Sequence, residues 1–169
     1  MAEPRWLDED EQAMWRAFLG MQRALAQATE RQLAGLELSS ADYAMLAPLS
    51  ETPDGVLRVR DLGRAAGWDR SRLAHQLRRM ERRGLVRRFE CPTDARGTMV
   101  ELTAAGRSAV RAAAPGHVET VRRFFVDLVR PAEREVLTAV ATRVLAATAE
   151  AGGDLDADCG GREPADGAP

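Results

Sequence analysis

Chemistry in a chain of 169 residues needs a nucleophile beside a base, a set of metal ligands, or a concentration of charge. Cys91 with His75 or His117 is the one nucleophile–base pairing on offer, since Cys159 is the only other cysteine and there are two histidines. His75 falls on the outward face of a helix and no stretch resembles an oxyanion hole, so catalysis is not expected. Two cysteines and two histidines at these separations match no zinc spacing, and no metal or cofactor is expected. Charge is another matter. Residues 58–96 hold twelve arginines (58, 60, 64, 70, 72, 78, 79, 82, 83, 87, 88 and 96) against five acids (61, 69, 81, 90 and 94), a local balance of +7 in a chain of net charge −2. Residues 1–11 and 151–169 each carry −4. A basic block inside a mildly acidic chain has the electrostatics of a surface that meets nucleic acid. There is no lysine, so the use of arginine belongs to the whole chain's composition more than to a site.

The chain is long enough for one domain with a core, or for one domain with an extended dimerisation element. The start, "MAEPRWLDEDEQ", is acidic where a secretion signal needs a basic end followed by an apolar run. No stretch approaches 18 uninterrupted apolar residues, so no membrane helix is expected. These features lead to an expectation of a soluble, cytoplasmic protein.

The elements that must position the arginines follow from periodicity. Residues 8–36 read as a helix, with Leu7, Met14, Phe18, Met21, Leu25 and Ala28 at three-and-four spacing and Trp15 and Leu19 widening the stripe. That is more apolar face than one small core covers, so part of it is expected to pack on another chain. Ser39 and Asp42 have capping-box spacing for a second helix. Pro48 is expected to bend or shorten it, and "TPDG" reads as a turn. "LRVRDLGRAAGWDRSRLAHQLRRMERRG" reads as helix, short turn, helix: Gly67 ends the first, Asp69 caps the second and Gly84 stops it. In the second of these, Leu73, Leu77 and Met80 make the buried stripe, with Ser71, His75, Arg78 and Arg82 opposite. "LVRRFE" and "TMVELT" are two strands joined by the turn "CPTDARG". Thr103 caps a long helix to about Val129, which Pro115-Gly116 should kink or break. Pro131 opens a last helix to about 149.

A hairpin directly behind a helix-turn-helix has a definite use. The second helix can enter a major groove while an arginine at the hairpin tip, here Arg96 steadied by Asp94, reaches the minor groove. That describes a winged helix-turn-helix, with the hairpin as its wing.

"RVRDLGRAAGWDRSRLAHQLRRMERRGLVRR", "PTDARG" and "VELTAAGRSAV", in this order and spacing, resemble the MarR family of bacterial transcriptional regulators over about residues 8–148. The resemblance implies a mainly α fold with a small β-hairpin wing, assembled as a triangular homodimer. It divides the chain into a dimerisation helix at 8–36 and a winged helix-turn-helix domain at 37–103, with recognition helix about 69–83 and wing about 85–103. Dimerisation helices at 104–150 and a disordered acidic tail at 151–169 complete it. It further implies binding to a pseudo-palindromic double-stranded operator, and a pocket for a small phenolic or aromatic acid.

On this reading Ser71, Arg72, His75, Gln76 and Arg79 face the major groove. Arg70, Arg78, Arg82 and Arg96 lie nearer phosphates or the minor groove, with Asp94 holding Arg96 and with Arg88 as the family's strand arginine. Trp68 is assigned to core packing. Tyr43 and His117 are expected to share the effector cleft with Trp15 and Phe18. The leading expectation is a homodimeric repressor released by its ligand. A redox-switched repressor using Cys91, and a sequence-indifferent architectural DNA binder, are the alternatives.

Overall fold

The computed structural model describes the backbone of residues 3–91 and 94–158, and the side chains of residues 3–91 and 97–149. The expected Asp94–Arg96 contact at the wing tip therefore lies outside the described side chains. The chain divides into two units, up to Val126 and from Asp127 onward.

In the first unit, helix α1 (Glu9–Ala34) starts where its charges require. The Asp8 carboxylate accepts from the Glu11 N–H at 2.8 Å while the Glu11 carboxylate accepts from the Asp8 N–H. Ala28 and Leu33 are its buried residues; Met14, Trp15, Phe18 and Met21 are exposed. Helix α2 (Ser40–Glu51) opens with the Ser39/Asp42 capping box expected from sequence. Pro48 lies inside it without ending it, because Met45, Leu46 and Leu49 are all buried in the core and hold the segment helical.

Three short elements follow. Strand β1 (Val56–Arg58) is unanticipated, and leads directly into helix α3 (Val59–Ala66). Gly67, at φ +64°, reverses the chain into helix α4 (Arg70–Arg82), whose N-cap Asp69 accepts from the Arg72 N–H at 2.9 Å. Leu73, Leu77 and Met80 are buried as the periodicity requires.

Strands β2 (Val86–Cys91) and β3 (Asp94–Leu102) form the hairpin, and β1 adds to the outer edge of β3, giving an antiparallel sheet of order β1-β3-β2. The register runs from Val86↔Leu102 to Glu90↔Thr98, then shifts to Cys91↔Asp94. The second strand thus begins four residues before its expected start at Thr98. Local turn chemistry marks a loop but does not show how far pairing continues past a bulge.

Helix α5 (Ala104–Phe124), capped by Thr103, runs unbroken through Pro115-Gly116 and stops short of Val129. It packs against α1 and α2, and that tertiary support keeps the Pro-Gly step helical. In the second unit, a 3-10 turn (Val126–Leu128) spans the junction and helix α6 (Pro131–Asp158) follows. α6 extends past the expected end at 149, so residues 151–158 are helical where disorder was expected; three acids there did not prevent the helix from continuing.

Candidate nucleic-acid interface

Helix α4 separates its faces cleanly. Arg70, Ser71, Arg72, His75, Arg78, Arg79 and Arg82 are all exposed, while the opposite stripe is core. A cleft of ≈ 590 Å³ opens beside its first turn, lined by Arg58, Arg60 and Arg64 from β1 and α3, by Trp68 and Arg70, and by Gly97 and Thr98 of β3. Four of those residues carry guanidinium groups, with Arg60 and Arg64 paired to Asp61, so a net positive cleft lies between strand β3 and the start of α4.

Gln76 does not belong to that face. It is 5% exposed, and its Nε2 donates to the Asp42 carboxylate at 2.7 Å. The assignment to the major groove is overturned because position 76 lies one residue before Leu77 and turns inward with it. Arg88 is also corrected: its Nε and Nη2 donate to Glu81 at 2.9 and 2.5 Å, and its backbone N–H donates to the same carboxylate. The Arg88 guanidinium holds the Glu81 carboxyl below its usual range. Arg88 fastens the recognition helix to the wing strand instead of offering a free cation.

Asp42 is the organiser that sequence reasoning placed only at a helix cap. Only 1% exposed, it accepts from Ser39 N–H and Oγ, from Gln76, and from Arg83 Nη1 at 2.7 Å. Arg83 also donates to the Glu37 carbonyl. Burial pushes the Asp42 carboxyl up, but the bonds from Ser39 and Arg83 outweigh it and hold the group below its ordinary value. One carboxylate thus ties the middle and the end of α4 to the start of α2. No sequence spacing betrays this, since the partners lie 34 and 41 residues away.

A family model for MarR regulators matches residues 38–98. The transcriptional regulator HosA of Escherichia coli O111:H- is 38% identical over 101 residues, covering 59% of this chain and 73% of that protein. The crystal structure of AbsC, a MarR-family transcriptional regulator of Streptomyces coelicolor, superposes with a TM-score of 0.79 at 39% identity, over 89% of this chain and 99% of that one. The chain belongs to the MarR family. A second Streptomyces coelicolor member, solved in complex with DNA, is 37% identical, with a TM-score of 0.79 over 85% of this chain and 90% of its own. The family consists of transcriptional regulators and not enzymes, which answers the Cys91–His question.

Within this MarR-family chain the four expected effector residues do not come together. The Tyr43 and His117 rings meet at 4.4 Å, and Trp15 stacks on Phe18 at 5.7 Å. Gln32 of α1 packs against Gly116, next to His117, so it marks the level of the first pair. Phe18 lies fourteen residues earlier on α1, about 21 Å along the axis at 1.5 Å per residue. The expected grouping fails because helix periodicity shows shared faces and not shared height. At the level of the Tyr43–His117 pair, Gln32 Oε1 and His117 Nδ1 are buried with no hydrogen-bond partner among the described residues. Cys91 is buried on β2, and the neighbouring Arg87 and Arg88 are engaged by Glu101 and Glu81. Burial limits the access on which thiol reactivity depends.

Proposed function

We propose that this chain is a sequence-specific double-stranded DNA-binding regulator that acts as a homodimeric repressor. The observation that carries the reading is the exposed basic face of α4, set beside an arginine-lined cleft and followed by a hairpin wing. An α-helix fits a major groove, and arginines along it neutralise phosphates on either side. The family member solved in complex with DNA supports DNA binding. Exposed apolar residues on α1 (Met14, Trp15, Phe18) and α6 (Leu137, Val140, Val144) supply the surfaces for a second copy. Two copies would present two α4 helices to half-sites about one helical turn apart.

The effector reading moves to the junction of α1, α2 and α5. Gln32 Oε1 and His117 Nδ1, buried beside an aromatic pair, suit a small hydroxylated aromatic acid, whose hydroxyl would donate to the amide oxygen and whose ring would stack. Its binding would release DNA only by preferring the non-binding arrangement of the dimer.

Fluorescence anisotropy with duplexes from the gene's own upstream region and a shuffled control, at one stated salt concentration, tests the reading. Binding should favour the upstream duplex by roughly a thousandfold, and Arg78→Ala with Arg82→Ala should weaken it. Equal affinity for both duplexes would favour an architectural role, and no binding by folded protein would end the reading.

A further inference from the structure

Resting on the DNA-binding reading above, we propose that Trp68 is a positioning residue for base recognition. Its ring holds the Arg72 guanidinium in the pose from which Arg72 reads a base pair in the major groove.

The Arg72 guanidinium carbon lies 4.1 Å from the Trp68 ring centroid. Both partners are anchored independently. The Trp68 backbone amide donates to the Gly63 carbonyl at 3.0 Å, and the half-buried indole packs against the hydrophobic core. A Cβ on Gly63 would stand 2.9 Å from Leu73 Cδ2 and 3.6 Å from the Trp68 carbonyl oxygen, so α3 packs closely on α4 and on the turn that carries the indole. On the other side, the Asp69 carboxylate accepts from the Arg72 N–H and sets where the helix begins. The platform and its cation are thus placed by the turn between the two helices.

Arg72 stands in the first turn of α4, the part of a recognition helix whose side chains contact base edges. A guanidinium lying over an indole occupies its flat face. Its N–H donors project in the plane of the group, and no hydrogen bond or ion pair engages them among the described residues. That in-plane fork matches guanine O6 and N7. A side chain already held in one pose loses less rotamer freedom on binding than a free one. The contrast with its neighbours is informative. Arg70, Arg78, Arg79 and Arg82 are exposed and their guanidinium groups have no described partner, which suits phosphates, since these accept a cation from many directions. Arg72 is the exposed arginine of α4 whose direction the fold specifies.

The test selects duplexes from a random-sequence pool with wild-type protein. Affinities of wild type, Arg72→Ala, Trp68→Leu and Trp68→Phe are then measured on the enriched duplex and on each of its single-base variants, over a salt series. Arg72→Ala should flatten the preference at one base pair per half-site. Trp68→Leu should flatten the same position by about tenfold and leave the salt slope unchanged, while Trp68→Phe, which keeps a ring, should retain most of the preference. A folded Trp68→Leu protein with wild-type preference would overturn the proposal. So would an Arg72→Ala protein whose salt slope falls by about one with its base preference intact, the mark of a phosphate contact. Should Trp68→Leu not fold, Arg72→Lys decides: it keeps a cation over the ring but lacks the fork, and unchanged preference would overturn the proposal. If wild type enriches no sequence at all, the DNA-binding reading itself has failed, which is a different result from enrichment that Trp68→Leu leaves untouched.

Discussion

Asp42 illustrates how one buried carboxylate can carry more of a fold than its place in a helix cap suggests. Removing it in Asp42→Ala strands the buried Gln76 amide and removes the ion pair of Arg83, which keeps its bond to the Glu37 carbonyl. A buried donor left unsatisfied costs about 1–3 kcal/mol, and a loss in that range is expected in urea unfolding. Gln76→Leu should cost less, because it removes a donor and leaves Asp42 with Ser39 and Arg83. His117 offers a second test at this scale. Burial lowers its folded-state pKa below the ordinary 6.5, so the unfolded chain takes up a proton before the folded one does. The associated stability is complete above pH 6.5 and is lost as pH falls through the lower, folded value. Wild type should therefore weaken between pH 7.5 and 5.5 more than His117→Phe, which keeps a ring against Tyr43 and cannot titrate; equal slopes in urea unfolding would refute the linkage. Of these residue roles, the outward arginines and the Ser39–Asp42 cap were legible from spacing. The Gln76, Arg83 and Arg88 bonds were not, because each joins elements brought side by side only by folding.

Among the elements, boundaries were read best where a single residue sets backbone geometry or caps a terminus: Asp8, Ser39, Gly67, Asp69, Gly84 and Thr103 all act as local chemistry requires. Errors fell where remote contacts override local preference. Proline was expected to disturb α2 and α5, yet both continue because their faces are buried against neighbours. β1 escaped notice since three residues acquire strand character only by pairing with β3. The junction of β2 and α5 depends on a close approach. A Cβ at Gly106 would lie 2.0 Å from the Leu85 carbonyl oxygen, which is backbone and cannot swing away. Gly106→Ala should therefore destabilise the protein by about 3 kcal/mol or more despite alanine's better helix propensity. Thermal and urea unfolding would show it, and a neutral result would mean that α5 can shift relative to β2 at little cost.

For the whole molecule, the decisive feature is apolar surface that the chain does not bury by itself. Val136, Leu137, Val140, Val144 and Leu145 of α6 are all exposed, as are Trp6, Met14 and Trp15 near the start. If these faces meet in a second copy, wild type should sediment at twice the chain mass. Leu137→Asp with Val144→Asp should then produce monomers that bind operator DNA poorly, since each half-site alone would hold only one α4. A wild-type monomer at micromolar concentration would refute the dimer. The sequence by itself determined the order of helices, the helix-turn-helix with its wing, the basic face and the family, because these depend on periodicity, caps, turn residues and charge, all written locally in the chain. Only the tertiary structure decided which of the marked side chains are available. It turned Gln76 inward and tied Arg88 to Glu81. It separated Trp15 and Phe18 from Tyr43 and His117, and laid Arg72 over Trp68. Spacing along a helix gives the direction in which a side chain points, whereas its partner depends on how distant segments pack.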